Sequence, residues 1–520
     1  MASADRRHSL ARPGPSYAAL VVGSVHGVSA PDTGGVRYGT PPARWILLAT
    51  VLGSGMAFLD GTVVNVALPA IGKNFAASVA GLQWVLTGYL ITLSALILIG
   101  GSLGDIFGRR RVFLVGVAWF STASLLCAVS PTLGVLVAAR TLQGIGGALL
   151  VPGSLSIIQS SFCAEDRGRA IGTWSGLGGV AGAIGPLAGG ALVTGVSWRL
   201  IFVLNLPLAV VVLAAARHIP ESHDETVSRH VDVRGASLGV LGLAGTAYAL
   251  IEGPSADANS TLVALAAVAA VVGLGGFIVA ERRSQHPMLP LAIFRSRQFT
   301  ASNILTFAVY GALSGVLFLL AVDLQQVLGY SAIEAGASML PITLLMLAFS
   351  ARAGALATRI GPRLPMSLGP LIITGGLVLM TRIHPGSHYV ASVFPSVVVF
   401  GVGLVLTVAP LTTTVLAAVE STHAGVASGV NNAVARVAGL VAVAVLPPLA
   451  GLTGAAYREP LRFSNGFHTA VLIGAGLCAA GAVVSALGIV NPERDAASAG
   501  PQQLSCPINA PTYRTTQRPS

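Results

Sequence analysis

The stretch Phe58 to Ile71, FLDGTVVNVALPAI, decides how the chain is read, because it sets a carboxylate inside an apolar run that opens near Trp45. Asp60 lies about 15 residues into that run, and at about 1.5 Å per helical residue this is roughly 20 Å along a hydrocarbon core about 30 Å thick. A charge at that depth is costly and faces a bundle interior or a water-filled cavity rather than lipid. Asp60 is therefore expected to take up and release a proton, with the rest of the chain moving a substrate against it.

Outward from that stretch the whole chain is apolar. Of its 520 residues 53% are hydrophobic and 9% charged, with a mean hydropathy of +0.78; a soluble chain is about 25% charged. This is the composition of a polytopic membrane protein. The net charge is +11, carried almost wholly by arginine, and Lys73 is the sole lysine. Those arginines fall in short loops between apolar runs, which points to membrane topology rather than nucleic acid. Cys127, Cys163, Cys478 and Cys506 are scattered without a CxxC pair, against a disulfide framework or a zinc site. No phosphate-binding GxxxxGK(S/T) loop is present, since Lys73 has no glycine before it and Asn74 after it. No cofactor or metal is expected. The 63 glycines suit close helix packing in a bilayer.

Fourteen apolar segments are long enough to span, starting near Trp45, Leu82, Val112, Thr132, Ala170, Leu200, Gly235, Thr261, Phe299, Ala335, Leu364, Val390, Ser428 and Phe467. The expected fold is all-α and integral to the membrane. Residues 1–43 and 491–520 read as disordered cytoplasmic tails; the weak apolar run Ala18–Ala30 is broken by Gly23, His26 and Gly27 and makes a poor signal peptide. Loops after even-numbered segments hold Arg109–Arg111, Arg167, Arg169, Arg217, Arg229, Arg234, Arg282, Arg283, Arg295, Arg297, Arg359 and Arg363. Those after odd-numbered segments hold little, Lys73, Arg382, Arg458 and Arg462 among it. Both termini are accordingly expected in the cytoplasm.

The chain repeats itself. GSLGDIFGRR, from Gly101, follows the second segment, and GALATRIGPR, from Gly354, follows the tenth. Gly108 and Gly361 hold equivalent places, as do Arg110 and Arg363, and Gly168/Gly172 echo Gly425/Gly429. The plan is six segments over 44–217, an inserted pair over 218–298, and six more over 299–490. Such repeats mark transporters, with the site between halves near mid-membrane.

Several residues carry candidate chemistry. Asp105, Gly108, Arg109 and Arg110 suit a tight turn whose charges bridge helix ends, although arginines in this loop also satisfy topology alone. Arg140, Gln143, Gly144 and Gly147 share one helical face in the fourth segment. Arg140 and the burial of Asp60 would act on that carboxylate in opposite senses; a static Asp60–Arg140 pair is the simpler alternative. In the fifth segment Gly178, Gly182, Gly185 and Gly189 form one stripe, with Pro186 beside it, suited to close packing with or without a gating role. Asp323 ends an apolar run, either at the outer mouth or as a second proton or cation-substrate site. Arg436, with Asn431 and Asn432, either anchors the cytoplasmic side or lines a cavity, and Arg352 is a further charge within a span. Glu252 and Glu420 look like loop-end residues, and the histidines gain no role.

With those residues in view, the sequence resembles the major facilitator superfamily, and within it the fourteen-helix drug/proton antiporter family. LDGTVVNVALP resembles the first-helix motif, GSLGDIFGRRR the superfamily-wide loop motif, RTLQGIGGA the fourth-helix motif and GGVAGAIGPLAGG the fifth-helix antiport motif. WRLIFVLNLPL, LQQVLGYSAIEAG and GVASGVNNAVARVAG are also similar, so the likeness spans most of 45–490. The sequence departs from it at Ile106, where a basic residue is usual, and at Thr358, where the second half would hold an acid.

The resemblance implies a 6+2+6 fold and export of amphipathic, often cationic, small molecules driven by proton entry. Asp60 and Arg140 would couple protons, Asp105, Arg109 and Arg110 would gate the inward face, and Gly185–Pro186 would control the occluded interface. The expected protein is a plasma-membrane antiporter working as a monomer without an enzymatic centre. Uptake by symport or uniport on the same fold is the alternative; an enzyme or receptor would need a nucleophile–base set, a metal cluster or a large extramembrane domain, none of which the sequence offers.

Overall fold

In the computed structural model of the chain, the described residues are 35–223, 232–255, 258–285, 287–419, 424–453 and 459–491. They form helices joined by short turns, and their only β-pairing is an isolated bridge between Val36 and Phe162. In chain order the helices are α1 (Pro41–Phe75), α2 (Val79–Phe107), α3 (Arg109–Ala128), α4 (Leu133–Ser161), α5 (Ala164–Gly195), α6 (Leu200–Val203), α7 (Asn205–Ala216), α8 (Val233–Glu252), α9 (Ser260–Arg283), α10 (Arg297–Gln326), α11 (Ala332–Ser338), α12 (Leu340–Ile360), α13 (Arg363–Met380), α14 (Phe394–Ala417), α15 (Ala424–Leu449) and α16 (Pro460–Gly488). Thirteen helical stretches among the described residues are long and apolar enough to cross a membrane, and α6–α7 adds a shorter apolar one over Leu200–Ala216. This is a multi-pass membrane protein, and the fourteen expected segments are accounted for.

Local chemistry explains the boundaries. Ser78, Thr132, Asn259 and Ser296 cap α2, α4, α9 and α10 by accepting from the backbone N–H three residues on. Ser331 and Glu334 cap α11 reciprocally. Two spans are interrupted at proline. Pro207 has no N–H to give the Val203 carbonyl, which parts α6 from α7, and Pro341 has none for Ala337, which parts α11 from α12. Gly108 and Gly361, with φ of 106° and 88°, make the sharp turns after α2 and α12.

The amino-terminal tail is shorter than the sequence suggested. Residues 35–43 are ordered: Val36 N–H donates to the Ser161 carbonyl (2.7 Å), Tyr38 N–H donates to Asp166 (2.8 Å), and the Arg169 guanidinium stacks 4.2 Å over the Tyr38 ring. An apolar residue and an aromatic one in an otherwise polar run find partners at the ends of α4 and α5. Residues 1–34 and 492–520, and with them most of the expected tails, lie outside the described residues, as does Glu420.

The packing positions the site. One apolar core joins Leu59–Ile71 of α1 to Phe318–Leu324 of α10, so the halves meet at the arginine-poor end. A second core, built from Ala43–Ala57 of α1 with α2, α3, α4 and α7, belongs to the first half and occupies the arginine-rich end. The helix α5 tells the same story along one face. At the arginine-poor end Gly190 packs on Ala332 and Ile333, and Gly336 packs on the Pro186 carbonyl. Toward the other end Gly179, Gly176, Gly172 and Gly168 face open space. The halves thus close at one end and part along α5 toward the arginine-rich end. On the opposite side α2 runs against α15, with the α8–α9 pair beside them.

Candidate functional site

Asp60 sits in the middle of α1, and the structure joins it to Arg140 and Gln143 of α4. Asp60 is 0% exposed and Arg140 1%. Arg140 Nη1 donates to Asp60 Oδ2 (2.6 Å) and to Gln143 Oε1 (2.6 Å), while the Gln143 amide donates to Asp60 Oδ1 (3.0 Å). Arg140 Nε donates to the Val85 carbonyl of α2 (3.2 Å), and the guanidinium lies 4.5 Å over the Tyr89 ring. Each buried charge therefore has its opposite and its hydrogen bonds, which is the condition for keeping an ion pair out of water.

The network extends to residues that sequence reasoning missed. Gln143 also donates to Ser124 Oγ of α3 (3.3 Å), Asn205 of α7 donates to the same hydroxyl (2.9 Å), and Ser124 in turn donates to the Phe202 carbonyl (2.9 Å). Asn205 lies in the WRLIFVLNLPL string and carried that much signal; Ser124 carried none. Gly144 brings α4 against the Tyr89 carbonyl and Thr92 of α2, where a side chain would collide.

The opposite face of α1 meets α5. Thr62 donates to the Gly182 carbonyl (2.8 Å), Gly185 packs on Thr62 and Leu59, Gly189 on Val63, and Gly178 on the Phe58 ring. The glycine stripe is thus the seat of α1, and Pro186 faces the second half through Gly336. Residues two apart on a helix point to nearly opposite sides. A single helix therefore carries the Asp60 network on one face and the contact with α5 on the other.

Asp323 is not part of this cluster. It lies near the arginine-poor end of α10, 0% exposed, and both carboxylate oxygens are without a hydrogen-bond partner among the described residues. Two residues on, Gln325 donates to the Val66 carbonyl of α1 (3.0 Å), binding the halves there. Arg436 lies midway along α15 with its guanidinium 5.9 Å from the Phe58 ring, so it lines the boundary between halves. Asn431 donates to Asn303 (3.1 Å) and Thr306 (2.7 Å) of α10. Glu252, at the end of α8, accepts from the Trp84 indole (2.7 Å).

The loop after α2 is tied within its own half. Asp105 pairs with Arg109 (2.8 Å), and Gly101 makes ordinary contact with Pro152. Glu221, which sequence reasoning passed over, accepts from the Arg110 N–H (3.1 Å) and lies 3.7 Å from Arg111, its carboxylate seated against Gly108. The second half repeats the device: Asn491 sits against Gly361 and accepts from the Arg363 N–H (3.0 Å). In each half, a polar side chain following the sixth span caps the helix that follows the glycine turn. Thr358, by contrast, donates back to Ala355 (2.8 Å), so at that position the second half has no acid to match Asp105.

Two pseudo-equivalent bundles, a closed end, an open end and a buried charge network define a secondary carrier of the two-halved type. The Major Facilitator Superfamily model matches residues 50–443, and the chain belongs to that superfamily. It is 35% identical over 417 residues to the multidrug resistance protein Stp of Mycobacterium tuberculosis, covering 80% of this chain and 77% of that one. It is 35% identical over 404 residues to the methylenomycin A resistance protein of Bacillus subtilis, covering 77% and 86%. Among solved structures it is similar in fold to a bacterial homologue of the human lysosomal transporter Spinster, with a TM-score of 0.61 and 18% identity over 87% of this chain and 99% of that one.

Proposed function

We propose that this protein is a proton-driven antiporter that exports amphipathic small molecules across the plasma membrane, with both termini cytoplasmic, acting as a monomeric carrier with no enzymatic centre and no cofactor beyond the proton. The reading rests on one observation above the rest: Asp60, enclosed mid-membrane and held by Arg140 and Gln143. Similarity to resistance proteins over most of the chain supports export, and the arginine-rich loops support the orientation. On that orientation the chain is open to the cytoplasm.

Proton binding at Asp60 removes the charge that Arg140 opposes and leaves Arg140 to its remaining acceptors, Gln143 and the Val85 carbonyl. The ties of α1 to α4 then loosen while its seat on α5 stays, and the helix tilts between the two. Asp323 serves as a second proton site at the outer end. Enclosing a bare carboxylate costs far more than enclosing the neutral acid, so closure there goes with a bound proton. Asp105, Arg109 and Arg110, braced by Glu221, form the inward latch, and Gly185–Pro186 the occluded contact. The six-helix units flank α8–α9 as an inserted pair. A membrane potential supplies about 2.3 kcal/mol per charge per 100 mV and each pH unit about 1.4 kcal/mol, enough for a steep substrate gradient without ATP.

The test uses inverted membrane vesicles acidified inside, with a quenched dye reporting the gradient. Addition of compounds from an antibiotic and dye panel should release protons from vesicles holding the wild type and not from those holding Asp60→Asn. Equal release from both would remove Asp60 from the mechanism.

A further inference from the structure

Arg436 stands halfway along the 26-residue α15, at the depth where a charge is hardest to keep. Arg140, at comparable depth, has Asp60. Among the described residues Arg436 has no carboxylate within ion-pair distance, and its contact is the face of Phe58, 5.9 Å away on the other half. That contact orients a cation without neutralising it.

The carboxylates of the spanning helices leave nothing over for it. Among the described residues Asp60 is bound to Arg140, Asp323 is sealed at the far end, and Asp105 pairs with Arg109. Asp166, Glu252, Glu281 and Glu334 lie at helix ends, where each accepts a hydrogen bond. Among the described side chains, a cationic compound entering between the halves would meet the Arg436 guanidinium and no unpaired acid.

Beside Arg436 lies an aromatic shelf. The Phe58 and Trp174 rings lean together with centroids 6.4 Å apart and planes at 59°, both half-exposed. The Trp174 indole is fixed by donating to Ser54 (3.0 Å), and Phe58 is fixed against Gly178, where a side chain would displace it. On the other side, the two bonds from Asn431 to α10 hold the helix that carries Arg436. The shelf belongs to the first half and the cation to the second, so a ligand touching both is gripped by the parts that move against each other.

We propose that Arg436, Phe58 and Trp174 form a binding subsite for an organic anion, an amphipathic molecule with an aromatic body and a carboxylate, sulfonate or ionised phenol. The guanidinium takes the anionic group and the rings take the body. This deepens the export reading and rests on it, and it replaces the expectation of a cationic substrate. It also has an electrical consequence: a monoanion leaving as a proton enters moves two charges in the same electrical sense, so the membrane potential drives both fluxes.

The test is binding to the purified full chain in detergent, without any gradient, using two probes of one shape. These are 9-anthracenecarboxylate and 9-(aminomethyl)anthracene, an anion and a cation, followed by anisotropy. The wild type should prefer the anion by about tenfold or more, the scale of one charge-assisted hydrogen bond. Arg436→Gln should abolish that preference, Arg436→Lys should keep part of it, and Phe58→Leu should weaken both probes. Retention of a thermal transition by Arg436→Gln, as by Arg436→Lys, excludes misfolding as the cause. Equal binding, a preference for the cation, no measurable binding of either probe, or a preference that survives in Arg436→Gln would overturn the proposal. None of these outcomes depends on proton coupling, so the vesicle result with Asp60→Asn stands or falls separately.

Discussion

Asp60 and Asp323 are both carboxylates with no exposure, and each lies on the first helix of its half. Their surroundings are opposite. Asp60 has a guanidinium and an amide aimed at its two oxygens; Asp323 has no partner for either. Burial alone therefore does not define what an acid does in this fold. On the proposed mechanism the partnered acid holds helices together while charged and lets them go when protonated. Enclosing the bare acid favours its neutral form, so in the proposed mechanism its enclosure goes with closure of the outer end. The proposal therefore has the two sites respond to a proton in opposite directions, one loosening a contact and the other permitting one.

The groups around Asp323 do not blur that contrast. At the same end Lys73 is exposed, Glu334 is occupied in capping Ser331, Tyr389 donates to the Ser338 carbonyl (3.4 Å), Arg462 pairs with Glu459 (3.0 Å) and His468 meets the Ile383 carbonyl (2.6 Å). The helices α14 and α15 bring no titratable side chain to that end among their described residues.

The sharpest break of the comparison is Arg140→Met, which strips Asp60 of its cation. Removing one member of a buried pair costs about 3–5 kcal/mol, to be read as a fall in thermal stability of the purified protein. Adding Asp60→Asn to that variant should recover much of the loss, since no bare charge then remains. Asp60→Asn alone leaves Arg140 without its anion, so it should also lower thermal stability, and it should abolish substrate-driven proton movement. Gly336→Ala acts on the end that seals Asp323. Its methyl group meets the Pro186 carbonyl, and overpacking of this kind costs about 1–3 kcal/mol. A cysteine placed at Gln325 should then react faster with a membrane-impermeant maleimide. Smallest in stability is Asp323→Asn, within about 1 kcal/mol of wild type, since no ion pair is broken. Its effect is on pH dependence: labelling at the same cysteine, divided by the rate of a free thiol at each pH, should rise with pH in the wild type, as Asp323 loses its proton and the end opens, and stay flat in the variant.

Much of this was legible in the sequence. Asp60 and Arg140 stood out because charges in apolar runs are rare, and the Arg140–Gln143 spacing put both on one face. The glycine stripe of α5 announced a packing partner without naming it; α1 is that partner. The repeat of Gly108–Arg110 at Gly361–Arg363 gave the two halves. What escaped was long-range and chemically ordinary. Ser124 joins the Asp60 network from another helix with no local pattern to mark it. Glu221 and Asn491 cap turns more than a hundred residues before them. Phe58 opened the stretch from which the reading began, yet a phenylalanine in an apolar helix says nothing of an arginine that reaches it from the other half. The amino-terminal tail was overestimated because Val36 and Tyr38 are too few to register as structure until α4 and α5 supply their partners.

The central claim is that Asp60 gives up its proton when substrate binds. The direct measurement is the pH change of a weakly buffered solution of purified protein when a compound active in the vesicle assay is added. Wild type should release protons, Asp323→Asn should still do so, and Asp60→Asn should release none. Undiminished release from Asp60→Asn would contradict the account and move the coupling elsewhere in the chain.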